Sequence, residues 1–123
     1  MRVPAVNGVK KILVVDDDMH VREMLVQRLR SRGFEVEGSD SATSAMQKLD
    51  AVRYDLVVLD LILPREGGKV VVEQVLAAHN GTQLIIMSGV ARLWRKANPS
   101  VRVAGVLEKP FAFDELLHFV NNS

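Results

Sequence analysis

Three uninterrupted apolar runs, Ile12–Val15, Leu56–Leu59 and Leu84–Met87, each stop at a polar residue: Asp16, Asp60 and Ser88. Continuous apolarity, in place of alternation, marks strands covered on both faces, and such strands belong to parallel sheets. The full strand set reads Lys11–Val15, Glu35–Ser39, Leu56–Asp60, Gln83–Ser88 and Gly105–Glu108. Segments of helical period lie between them. Val21, Met24, Leu25 and Leu29 form one apolar stripe, and Ala42, Ala45, Met46 and Leu49 a second. Val71, Val72, Val75 and Leu76 form a third, and Phe113, Leu116, Leu117 and Val120 the last. Asp18 and Ser41 stand at N-cap positions, and Gly33 stands where the first helix should stop. Alternating strand and helix predicts an α/β fold, a parallel sheet with helices on both faces.

The segment after Ser88 is poorer. Val90 to Ala97 allows two helical turns before Asn98-Pro99-Ser100 breaks the pattern, so a short, irregular or mobile fourth helix is expected. The 123 residues fit one domain, so a single domain over residues 10–123 is expected, after a loose lead-in over 1–9 and with no second domain. That lead-in lacks an apolar signal core, so a cytoplasmic protein is expected. No apolar stretch approaches the ~18 residues of a membrane span. Net charge is +1 with both signs interspersed, which argues against nucleic-acid binding. There is no cysteine, which excludes disulfides and thiol chemistry.

In open parallel sheets the functional groups collect beyond the carboxyl ends of the strands, near a switch in strand order. Asp16, Asp17, Asp60, Ser88 and Lys109 all fall at or just after such ends. If the first and third strands are neighbours, their carboxylates crowd together and repel unless a cation or proton relieves them. Mg²⁺ (or Mn²⁺) takes oxygen ligands and keeps several waters, so Asp17 and Asp60 can bind it directly and Asp16 through water. Lys109 can reach a negative group, and a Lys109-Pro110 bond can be cis. Ser88 can donate its hydroxyl to a phosphoryl oxygen. Taken singly, each has an ordinary reading: a helix cap, a solvated turn lysine, a loop opening. Together they describe a phosphoryl-transfer site with a carboxylate nucleophile.

This ordered set, with Pro64 and Gly68 after Asp60 and the run Lys109-Pro110-Phe111, resembles the response-regulator receiver domain of bacterial two-component signalling. The resemblance implies a doubly wound, flavodoxin-like five-stranded sheet of order 2-1-3-4-5. It implies that Asp60 is the phosphoacceptor and that Asp17, Asp60 and the backbone carbonyl of Ile62 hold Mg²⁺, with Asp16 acting through water. Ser88 takes the switch position and Lys109 that of the phosphate-binding lysine. The implied donor is a sensor histidine kinase or phosphotransfer protein. The implied product is a self-phosphorylating switch, not a metabolic enzyme, acting on a downstream protein; a homodimer stays open.

The chain departs from the family in places. Val106 stands where an aromatic ring usually moves inward on activation. Arg65-Glu66-Gly67-Gly68 replaces the usual Met-Asp-Gly ending, with Gly67 adding flexibility, and Arg102-Val103-Ala104-Gly105 replaces a Gly-Ala pair. Ile62 and Val90 flank the path of the hydrolytic water in the family, so slow autodephosphorylation is expected. Trp94 reads either as core or, with Leu93 and Val106, as an exposed docking patch. His20, His79 and His118 read as surface or helix-end residues, His79 at a helix C-terminus. Two rivals remain: a binding module that no longer uses phosphorylation, favoured by Val106, and an aspartate-nucleophile phosphatase. The second needs an acid where Ile62 stands.

Overall fold

The computed structural model describes residues 10–123; the lead-in read over 1–9 lies outside them. Its strands are β1 (Lys11–Val15), β2 (Glu35–Ser39), β3 (Leu56–Asp60), β4 (Gln83–Ser88) and β5 (Gly105–Glu108), as read from the apolar runs. All pair in parallel, in the order β2-β1-β3-β4-β5. The helices are α1 (Met19–Ser31), α2 (Ala42–Ala51), α3 (Gly67–Ala78), α4 (Ala91–Ala97) and α5 (Phe113–Asn121), with a 3-10 turn at Pro64–Glu66.

Successive residues of the central strands point to opposite faces, and each face builds its own core. Ile12, Val14, Val58 and Ile85 pack with Leu25 and Leu29 of α1 and Leu116 of α5. Leu13, Val15, Val57 and Ile86 pack with Leu49 of α2 and Val71 and Val75 of α3. The sheet is therefore the middle of three layers, which explains why β1, β3 and β4 are apolar at nearly every position.

Two stripe assignments need correction. Met24 is 47% exposed, because the buried face of α1 is centred on Leu25, Val26 and Leu29 and Met24 lies on its flank. Leu76 is half exposed for the same reason beside Val72 and Val75. Asp18 caps α1 by accepting from the amides of His20 and Val21, and Ser41 caps α2 by accepting from Ser44. Gly33, at φ +93°, follows α1 in the left-handed region that glycine adopts at little cost. The fourth helix is short, as expected. Asn98 ends it by donating from Nδ2 to the Trp94 carbonyl (2.9 Å), and Arg95 Nη1 holds the Val101 carbonyl at 2.6 Å. Trp94 is half-buried against the α2–α3 core, the core role of its two readings, while Leu93 is 69% exposed. His79 does follow α3 directly, but it is buried, not at the surface. Its Nε2 lies 3.3 Å from Asp50 Oδ1 because the end of α2 comes alongside.

Among the described residues no helix is long and apolar enough to cross a membrane.

Candidate functional site

The register brings the acids together. Val15 is level with Leu59, so Asp16, one residue on, arrives beside Asp60 at the switch between β1 and β3. Ser88 is level with Glu108, so Lys109 emerges one step beyond it and next to the same edge. One carboxylate oxygen from each of Asp16, Asp17 and Asp60 lies within 4.8 Å of the others. Asp16 and Asp60 are buried, and Asp17 is exposed.

Lys109 closes the cluster. Its Nζ donates to Asp16 Oδ2 at 2.8 Å and to Asp60 Oδ2 at 3.0 Å. The Lys109-Pro110 bond is cis. The remaining oxygens are also engaged: Asp60 Oδ1 accepts from the Ile62 amide (2.9 Å), and Asp16 Oδ1 from the Asp18 amide (2.9 Å). Burial is the largest influence on Asp60 and pushes its carboxyl up. The Ile62 amide and Lys109 pull it down and Asp16 pushes it up again, leaving it above its ordinary value. Burial pulls the Lys109 ammonium down, but the bonds and charges of Asp16 and Asp60 outweigh it, and the net shift is upward. The cation is thus firmly held, while Asp60 is a carboxylate under strain from desolvation.

Ser88 is fully buried at the end of β4, and its Oγ accepts from the Val90 amide at 3.1 Å. That leaves the hydroxyl proton available for donation. The side chains of Ile62 (59% exposed) and Val90 (43%) stand out on the loops after β3 and β4. Asp16, Asp17, Asp60, Ile62, Ser88 and Lys109 therefore all lie at or just beyond the carboxyl edge of the sheet. The geometry also suits a hard divalent ion, since three clustered carboxylates are the oxygen donors such an ion selects.

Two contacts escaped the sequence. Arg22 Nη1 donates to the backbone carbonyl of Asp16 (2.8 Å). Glu108 Oε1 accepts from the Arg92 amide (3.2 Å), tying the start of α4 to the end of β5. Their only sequence signals are an arginine six residues after Asp16 and an acid just before Lys109.

A doubly wound sheet of this order, with acids, a serine and a lysine on its carboxyl edge, defines a receiver domain. The model of the response regulator receiver domain family matches residues 12–121, and the chain belongs to that family. Response regulator MprA of Mycolicibacterium vanbaalenii is 35% identical over 114 residues, 87% of this chain and 47% of that protein. The probable transcriptional regulatory protein SilR of Salmonella typhimurium is 31% identical over 108 residues, with the same coverage. The chain spans about half the length of the curated relatives it matches. Among solved structures, the response regulator TrrA of Thermotoga maritima, in complex with Mg²⁺-BeF, has a TM-score of 0.83 at 30% identity, covering 93% of this chain and 98% of that one. A CheY-like receiver domain protein from Methanospirillum hungatei has a TM-score of 0.86 at 26% identity, covering 94% and 93%.

Proposed function

We propose that residues 10–123 form a phosphoacceptor switch, taking a phosphoryl group onto Asp60 from a sensor histidine kinase or phosphotransfer protein. The observation that carries this reading is the buried Asp60 carboxylate, bridged to Lys109 and clustered with Asp16 and Asp17. A carboxylate oxygen of Asp60 forms the bond to phosphorus. The N–P bond of the donor phosphohistidine breaks, and its electron pair returns to the imidazole. Such transfer needs mainly positioning and charge stabilisation. Asp17, Asp60 and the Ile62 carbonyl would hold a divalent cation, Mg²⁺ by preference, with Asp16 acting through water, and the ion would supply neutralising charge for phosphoryl oxygens; the acidic cluster and the Mg²⁺-BeF bound to TrrA support this choice. Lys109 exchanges one carboxylate partner for a phosphoryl oxygen, and the Ser88 hydroxyl donates a hydrogen bond to another phosphoryl oxygen. The domain acts in the cytoplasm as a switch on a downstream protein and not as a metabolic enzyme.

Incubation with acetyl phosphate and Mg²⁺, followed by intact mass measurement, is expected to show a gain of one phosphoryl group. The gain should be absent in Asp60→Asn. An unlabelled wild-type chain would favour the binding-module reading. Turnover of p-nitrophenyl phosphate would favour a phosphatase, although Ile62 offers no acid/base group there.

The phosphorylated form is expected to lose its group slowly. Ile62 and Val90 carry exposed apolar side chains, at the two positions that flank the path of the hydrolytic water in the family. Ile62→Asn and Val90→Ala should each speed the loss, followed by intact mass without phosphatase. A half-time of a few seconds in the wild type would sink this expectation.

A further inference from the structure

We infer that Arg22 is a positioning residue for the acidic cluster: it holds the Asp16–Asp17 peptide and thereby sets the affinity for the divalent cation. The inference rests on the metal-assisted reading above. β1 ends at Val15, and the next residue keeps only part of its ladder. The Asp16 amide still donates to the Ser39 carbonyl of β2 at 3.1 Å. Its own carbonyl is answered from elsewhere, by Arg22 Nη1 at 2.8 Å, reaching back from α1. A backbone carbonyl on a fully buried residue requires such a partner. That carbonyl shares one rigid plane with the Asp17 nitrogen. Fixing the plane fixes the starting point of the Asp17 side chain, which is the exposed acid of the cluster.

A second observation makes the arrangement specific. The aliphatic stem of Arg22 lies across β2 at Gly38, where an added Cβ would sit 3.3 Å from both Arg22 Cγ and Cδ. Gly38 is not among the glycines with positive φ, so it is not there for turn freedom. It lies in an edge strand, where glycine weakens the element. Room for the Arg22 stem accounts for it. Lys48 Nζ also donates to the Gly38 carbonyl, which fixes the floor under the stem.

Arg22 touches neither the phosphoryl site nor a metal ligand's carboxylate, so its effect is separable from theirs. Calorimetric titration of Mg²⁺ into the full chain tests it. Arg22→Met keeps the stem and removes the guanidinium, and it should weaken Mg²⁺ binding about tenfold, the low end for outer-shell partners of metal sites. Arg22→Lys, which returns a cationic donor, should recover much of that loss. Gly38→Val, which leaves Arg22 present but crowds its stem, should reproduce the loss. The urea midpoint of Arg22→Met should fall further below wild type with Mg²⁺ than without it, and saturating Mg²⁺ should restore labelling by acetyl phosphate. Wild-type Mg²⁺ affinity in both Arg22→Met and Gly38→Val would overturn the inference. So would a loss that Arg22→Lys shares in full and that matches an equal loss of metal-free stability. A wild-type chain that binds no Mg²⁺ would overturn both this inference and the metal-assisted reading beneath it.

Discussion

Replacing Gly68 by alanine is expected to lower the unfolding free energy by about 3 kcal/mol, the upper end for an overpacked site. An added Cβ would stand 2.0 Å from the Leu61 carbonyl oxygen and 2.7 Å from Leu61 Cα. These are backbone atoms and cannot rotate away. Leu61 is in turn tied to the sheet, its amide donating to Met87 O at 3.2 Å. Relief must come from shifting the segment directly after Asp60, so the variant should also bind Mg²⁺ more weakly. Gly67→Ala meets softer neighbours, the Ala42 Cβ at 2.9 Å and Leu63 Cβ at 3.2 Å, and should cost about 1 kcal/mol. Gly89→Ala meets nothing and provides the control. Urea unfolding of the three variants checks the ranking; a Gly68→Ala loss no larger than that of Gly89→Ala would refute it.

These glycines show where sequence reasoning stops. Gly67 was expected to add flexibility. Its dihedrals are helical (φ −61°, ψ −32°), and what it supplies is space beneath Ala42. The left-handed residues of that loop are Arg65 (φ 59°) and Glu66 (φ 57°), which carry no glycine-like signal. Burial of His79 depends on the end of α2 lying alongside, a tertiary fact invisible to local pattern.

The strands were legible because burial on both faces writes an unbroken apolar run into the chain. Their order was not: pairing is non-local, and 2-1-3-4-5 came with the family resemblance. The site residues were legible because each is named by its place at a strand end, and the Val15–Leu59 register does the rest. The Arg22 and Glu108 contacts were not, because their partners are main-chain atoms, and every residue type has those.

Lys109→Met is expected to separate stability from function at the site. In the wild type one ammonium, with a side chain 26% exposed, answers two buried carboxylates. Removing one partner of a buried pair costs about 3–5 kcal/mol, and partial solvent access reduces this to about 2 kcal/mol. The deficit has a pH dependence whose sign follows from Asp60. Its folded-state carboxyl already lies above its ordinary value, so the native state holds the proton more readily than the unfolded chain. Its contribution therefore falls as pH rises from the ordinary carboxylate value through the folded one. Methionine removes the pull of Lys109 and moves Asp60 further up. The gap between variant and wild type should thus be widest at neutral pH and should narrow as acid protonates Asp60. Mg²⁺ should narrow it too, because an ion bound only to the folded chain stabilises it by mass action and takes over the neutralising role. Labelling by acetyl phosphate should remain severely reduced in the same Mg²⁺ buffer, since the cation cannot replace the ammonium at the phosphoryl oxygens. Urea unfolding at acid and neutral pH, with and without Mg²⁺, combined with intact mass, reads all of these. Recovery of labelling together with stability would show that Lys109 serves only to neutralise the acids and has no part in holding the phosphoryl group.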